Sequence, residues 1–193
     1  MSKISRGAIN DLCPQTFMMY GTYKEDGTPN FAPFTWMSYY WDYEDNELGF
    51  MAAIGEAKLT LDRIRETRKF SANLVTEELL PLADKLGNTS GYSEEKARIP
   101  LEVEKGVKLD VPILKKAPVS FELEVKEFRP KGEGAVLLCK IHNVLYEEKL
   151  TDESKSVEER VESIKPVRTV NSEYFSWNGK SIAPWGEPQN WLK

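Results

Sequence analysis

Asp26-Gly27-Thr28-Pro29-Asn30-Phe31-Ala32-Pro33-Phe34-Thr35-Trp36 is the stretch on which the reading of the fold turns. It is preceded by Phe17-Met18-Met19-Tyr20-Gly21-Thr22-Tyr23, an apolar run of strand length. Lys24 to Gly27 then carries the Asp-Gly signature of a hairpin turn. The returning strand, Asn30 to Ser38, contains Pro33, which has no N–H to give a ladder and so belongs at an edge or a bulge.

Further along, Leu48 to Ile54 is an apolar run closed by Gly55. Gly55-Glu56-Ala57-Lys58-Leu59-Thr60 then leads into a helical pattern over Leu61 to Arg68. Thr60 is placed to cap that helix, with Asp62 in its first turn. Phe70 to Val75 alternates as a strand, and Glu77 to Leu86 reads as a helix stopped by Gly87-Asn88-Thr89-Ser90-Gly91. Ser93 caps a further short helix through Arg98. Tyr40 to Glu47 reads as a connection and Val107 to Ile113 as an extended, Pro-bounded segment.

The two longest strand candidates are Val119 to Arg129 and Ala135 to Leu145, joined by Pro130-Lys131-Gly132-Glu133-Gly134. Phe121, Leu123 and Val125 alternate with Glu122, Glu124 and Lys126, which predicts one buried and one wet face. Thr151 to Ile164 reads as a charged surface insertion with a partial helix, and an aromatic tail follows. Six or more strands, mostly hairpin-connected, with two or three short helices predict an antiparallel barrel plugged at its ends. The chain, 193 residues, is read as a single domain over 1–193, with about 150–193 a charged segment and aromatic tail.

Composition narrows the partners. The net charge of −5 and the lack of a clustered basic face argue against nucleic acid. Cys13 and Cys139 fit no metal or redox spacing, and each has apolar neighbours that predict a buried reduced thiol. No metal site is expected, because one histidine, His142, and two distant cysteines cannot assemble one. The same shortage rules out a Ser-His-Asp arrangement. Met1-Ser2-Lys3-Ile4-Ser5 lacks an apolar signal core and no run approaches a membrane span, so a cytoplasmic protein is expected.

A phosphate monoester is held well by a helix N-terminus, a cation and a hydroxyl within one turn. Gly55 permits close backbone approach, Lys58 brings charge and Thr60 a hydroxyl. An ordinary N-cap beside an exposed lysine would look the same. The neighbouring Asn30 to Trp36 run supplies the distinction, because an edge strand broken by proline offers main-chain groups and apolar atoms to a planar ring. A ligand with a ring at one end and a phosphate at the other points to flavin mononucleotide, FMN. Ser90-Gly91 and Lys96 form a second polar patch. There is no GxGxxG and no Walker loop, so a nicotinamide would be held only transiently.

On these residues, with Lys58-Leu59-Thr60, Phe70 to Val75 with Asn73, and Leu82-Ala83-Asp84 through Ser90-Gly91 to Lys96, the chain resembles the flavin reductase-like, FMN-binding split-barrel family. The similarity runs from about Cys13 to Tyr146, and it is greatest to the flavoredoxin-type branch. It implies a mainly β, antiparallel Greek-key split barrel, a homodimer, and FMN held noncovalently near the subunit interface. Asn30, Phe31, Ala32, Pro33, Phe34, Thr35 and Trp36 would then line the flavin ring, with Ala53 and Gly55 beside it. Lys58 and Thr60 would hold the phosphate, with Asn73, Ser90 and Lys96 as looser contributors. Thr35 stands nearest the reactive edge, and no dedicated acid or base is expected. The resemblance implies an NAD(P)H-dependent flavin reductase passing electrons through FMN to a small molecule or a protein. An electron-transfer flavoprotein without nicotinamide activity and a non-enzymatic flavin-binding module remain as alternatives.

Overall fold

The computed structural model describes residues 3–192; Met1 and Ser2, part of the N-terminal segment considered above, lie outside the described residues. The strands are β1 (Gln15–Thr16), β2 (Met18–Tyr23), β3 (Pro29–Phe34), β4 (Met37–Asp42), β5 (Glu47–Ile54), β6 (Lys69–Leu74), β7 (Val103–Lys105) and β8 (Pro112–Leu114). They continue with β9 (Val119–Lys131), β10 (Gly134–Tyr146), β11 (Arg168–Val170), β12 (Glu173–Phe175) and β13 (Ser181–Pro184). Four α-helices interrupt them: α1 (Leu59–Thr67), α2 (Leu80–Gly87), α3 (Glu94–Ala97) and α4 (Val157–Ile164).

Seven strands form one antiparallel sheet in the order β3-β2-β6-β9-β10-β5-β4, the sheet of a split barrel. Its two edge strands are consecutive in the chain, joined only by Thr35 and Trp36. Ala53 N–H donates to Trp36 O at 2.9 Å, which ties that joint to β5. The β2–β3 turn forms as its Asp-Gly pair dictates. Asp26 Oδ1 accepts from Thr28 N at 2.9 Å and Thr28 Oγ1 at 2.7 Å, and Gly27 takes φ +81°.

Alternation along β2 sends side chains into two cores. Met18 and Tyr20 join Phe34, Phe50, Leu61, Phe70 and Leu123 inside the barrel. Phe17 and Met19 face the other way, with Phe31, Leu80, Leu86 and Tyr174. A strand buried on both faces has no wet side, which explains its near-continuous apolar composition. Cys139 lies inside the barrel and burial pushes its thiol up to about 12.

Several expectations are corrected. Tyr40 to Glu47 is no simple connection: β4 runs to Asp42 and turns into β5, the turn held by Lys126 Nζ on Asp42 (2.9 Å) and Asp45. Val107 to Ile113 is mostly the loop of a β7–β8 hairpin. Glu122 is fully buried rather than wet, because that loop folds over it. Its carboxylate accepts from the N–H groups of Val107 (3.0 Å), Lys108 (2.8 Å) and Leu109 (2.6 Å) and from Asn143 Nδ2 (2.9 Å). Cys13 is exposed, since the chain before β1 packs little against the body. The tail is more ordered than its composition suggests: β11, β12 and β13 join β1 in a four-stranded sheet. No helix among the described residues is long and apolar enough to cross a membrane.

Candidate functional site

Helix α1 begins beside the outer edge of β3. Its N-cap is Lys58, with extended backbone and no side-chain cap, so Thr60 is not the cap but the second residue of the first turn. The opening N–H groups of a helix have no intrahelical acceptor, and here no cap side chain takes one. Thr60, 2 % exposed, accepts from Asn30 Nδ2 at 3.0 Å, and no acceptor takes its O–H among the described residues.

A cavity of about 320 Å³ lies against this helix start. Ala32 and Pro33 of β3, Lys58 and Thr60 of α1, and the segment from Leu86 to Tyr92 enclose it, with Lys96 beneath. A second cavity of about 290 Å³ holds Pro33, Phe34, Thr35, Trp36, Ala53 and Gly55. The two share Pro33, Lys58 and Trp185, so they read as the halves of one elongated site. Their combined size suits a drug-sized ligand.

Lys96 dominates the electrostatics. Only 6 % exposed, its ammonium donates to Leu86 O at 2.6 Å and Thr89 O at 3.2 Å and meets no carboxylate among the described residues. Burial, followed by the nearby charges of Lys58 and Lys24, holds it down to about 8. A buried cation without a counter-ion is costly, and an anion in the adjoining cavity would relieve it. Lys58 is the weaker cation, because it is half-exposed and already paired with Glu56 at 3.2 Å. Asn30 Oδ1, buried between β3 and α1, has no donor among the described residues. A Cβ at Gly91 would approach it to 3.4 Å, so it faces the loop that roofs the cavity.

Twelve of the fourteen residues expected from sequence therefore gather here: eleven line one cavity or both, and Asn30 sits directly beneath. Two do not. Phe31 is buried in the second core and lines neither cavity. Asn73 is fully buried with its amide spent: it donates to Met19 O (3.0 Å) and Ser71 Oγ (2.9 Å) and accepts from Leu114 N (3.1 Å) and Ser120 Oγ (2.9 Å). It pins β2, β6, β8 and β9 together and has nothing left for a ligand. His142, on β10, pairs with Glu124 at 2.6 Å away from both cavities. Sequence reasoning missed Trp185, Tyr92 and Glu56, which lie on the walls. A larger cavity, about 600 Å³, runs beside Lys115 to Pro118 and α4. Two of its lysines already meet carboxylates, Lys116 with Glu78 at 3.1 Å and Lys149 with Glu147 at 2.9 Å, and it holds none of the expected residues.

Among known proteins, the family described as Flavin reductase like domain matches residues 11–176. The flavoredoxin of Desulfovibrio vulgaris (Miyazaki F) is similar in structure with a TM-score of 0.78 and 22% identity, over 94% of this chain and 96% of that one. Flavoredoxin from Methanosarcina acetivorans is similar with a TM-score of 0.79 and 18% identity, over 100% of each chain. The FMN-binding protein from Thermus thermophilus, solved with bound p-hydroxybenzaldehyde, gives 0.71 and 22% over 95% of this chain and 98% of that one. At these identities the likeness is one of fold. No curated protein matches the chain.

Proposed function

The chain belongs to the flavin reductase like domain family, and from that premise we propose that it is an FMN-binding oxidoreductase, an NAD(P)H-dependent flavin reductase. The observation that carries the reading is Lys96, a buried ammonium without a carboxylate, at one end of an elongated site whose other end is apolar and aromatic. FMN, when bound, supplies reversible two-electron chemistry at its ring.

In this reading the residues divide the labour by position. Lys96, the uncapped start of α1, the Thr60 hydroxyl and Lys58 hold the phosphate, with Lys58 released from Glu56. Asn30 Oδ1, without a donor among the described residues, accepts from a hydroxyl of the connecting chain. Pro33 to Trp36, Ala53 and Gly55 bound the ring. Glu56 and Lys58 are the only titratable side chains on that cavity's wall among the described residues, so the protein contributes placement rather than a tuned acid or base. Trp36, 53 % exposed at its rim, offers a nicotinamide a flat surface. A homodimer belongs to the same reading, supported by the exposed Tyr39, Trp41 and Tyr43 along and beyond β4.

The test is a titration of the purified protein with FMN, riboflavin and FAD, followed by an NADH and NADPH oxidation assay. FMN binding at least tenfold tighter than riboflavin is expected. Equal weak binding of all three would overturn the phosphate site, and FMN binding without nicotinamide oxidation would overturn the reductase.

A further inference from the structure

Trp185 lies in the tail, beyond residue 176 where the family match ends, yet it lines both halves of the site. Its indole N–H donates to Asn88 Oδ1 at 2.8 Å, and its ring stacks on Tyr174 at 5.9 Å and 20°. Gly87 makes room for it. A Cβ there would sit 2.8 Å from Pro33 Cγ and 3.2 Å from Trp185 Cζ2.

The segment is fixed by Asp84 of α2, which is fully buried. Asp84 Oδ1 accepts from Tyr174 O–H at 2.7 Å and Gly186 N–H at 2.9 Å, and Oδ2 accepts from Gln189 N–H at 2.9 Å. Asn88 Nδ2 reaches Oδ1 at 3.3 Å, so the residue that orients the indole is itself held by the same carboxylate. Docking a tail on an ordinary surface needs no buried acid, which is costly to desolvate. Three of the four donors on the carboxylate flank Trp185 in the chain, stack on it or hydrogen-bond to it, and Gln189 follows four residues later in the same segment.

We propose that Trp185 is a contact residue of the flavin site, at the junction of its ring and phosphate halves, and that Asp84 is the positioning residue that holds it there. This rests on the flavin reading given above. The tail then completes the binding site, and the matched family region alone leaves one wall open.

The test is an FMN titration of the wild type, Trp185→Phe, Trp185→Ala, Asp84→Asn and the double variant Asp84→Asn/Trp185→Ala, read by affinity and by emission of the bound flavin. An indole against a flavin quenches its fluorescence. Trp185→Ala is expected to weaken FMN about tenfold and Trp185→Phe about threefold or less, the scale of aromatic stacking. Both should leave the bound flavin brighter than in the wild type. Asp84→Asn keeps the shape but turns an N–H₂ towards at least one existing donor, and it is expected to match Trp185→Ala. The double variant should bind no worse than either single one, because the two act as a unit. Where Asp84→Asn fails to fold by circular dichroism, Tyr174→Phe replaces it in the cycle, since it removes one donor and keeps the stacked ring. Unchanged affinity and emission in Trp185→Ala overturn the contact role, and additive losses in the double variant overturn the positioning role. Wild-type protein that binds no flavin overturns the functional reading itself, a result distinct from either.

Discussion

Strands β3 and β4 are the two edges of one sheet, yet they treat their open edges in opposite ways. On β3, Asn30, Phe31, Ala32 and Phe34 are buried, Pro33 withholds a donor, and α2 with Trp185 covers what remains. On β4, Tyr39 and Trp41 are each left 49 % exposed. A bare, aromatic edge is a liability unless something covers it. Under the function proposed above, proline and a covering helix make one edge a ligand site, while their lack leaves the other edge suited to another copy of the chain.

The comparison can be broken first at the centre of the sheet that both edges share. Glu122→Ala would orphan the N–H groups of Val107, Lys108 and Leu109, and a loss of about 3–5 kcal/mol in urea unfolding is expected. A loss below about 1 kcal/mol would show that the edges, not β9, carry the fold. The pH dependence follows from the same contacts. Burial alone would raise this carboxyl, but Asn143 and the Leu109, Lys108 and Val107 N–H groups outweigh it and hold it below the usual range. Its contribution is therefore full above the unfolded value of about 4.3 and is lost as pH falls below it. Glu122→Gln should flatten that acid limb.

The β3 edge is sharpened by Lys96→Ala, expected to weaken FMN by about 1.5–3 kcal/mol and leave riboflavin unchanged. Equal losses for both flavins would move the phosphate elsewhere. In the unaltered protein, phosphate favours the charged amine. The ratio of FMN to riboflavin affinity should hold steady between about pH 7, above the second ionisation of the phosphate, and about 8, and then fall by up to tenfold per pH unit. The β4 edge takes the smallest change in stability. Trp41→Glu should shift folding by no more than about 0.5 kcal/mol while light scattering falls from twice the chain mass to the chain mass. An unaltered mass would mean that β4 is not where copies meet.

Much of this architecture is legible in short patterns. The Asp-Gly turn, the proline at the edge and the alternation of Phe121, Leu123 and Val125 are local, and the structure follows them. The local patterns mislead where distant chain supplies the environment. Glu122 reads as wet because its neighbours in sequence alternate; the loop that covers it comes from before β8. Asn73 is a candidate ligand only through the family resemblance, but three partners from distant segments, with Ser71 of its own strand, consume it. Lys96 reads as secondary to Lys58 because burial and a competing carboxylate leave no trace in the spacing. Trp185 and Asp84 meet across 102 residues through Gly186, a distance no local pattern spans.

The joint between the edges has a consequence for how the molecule breathes. Thr35, Trp36 and Ala53 line the apolar cavity, and the Ala53-to-Trp36 hydrogen bond fastens the seam between the edges to β5. Were the flavin proposed above to need that seam shut, its occupancy would subtract directly from transient opening. The Ala53 amide proton should then exchange with solvent more slowly by the factor 1 + [L]/Kd, a clock inside the protein that counts time spent bound.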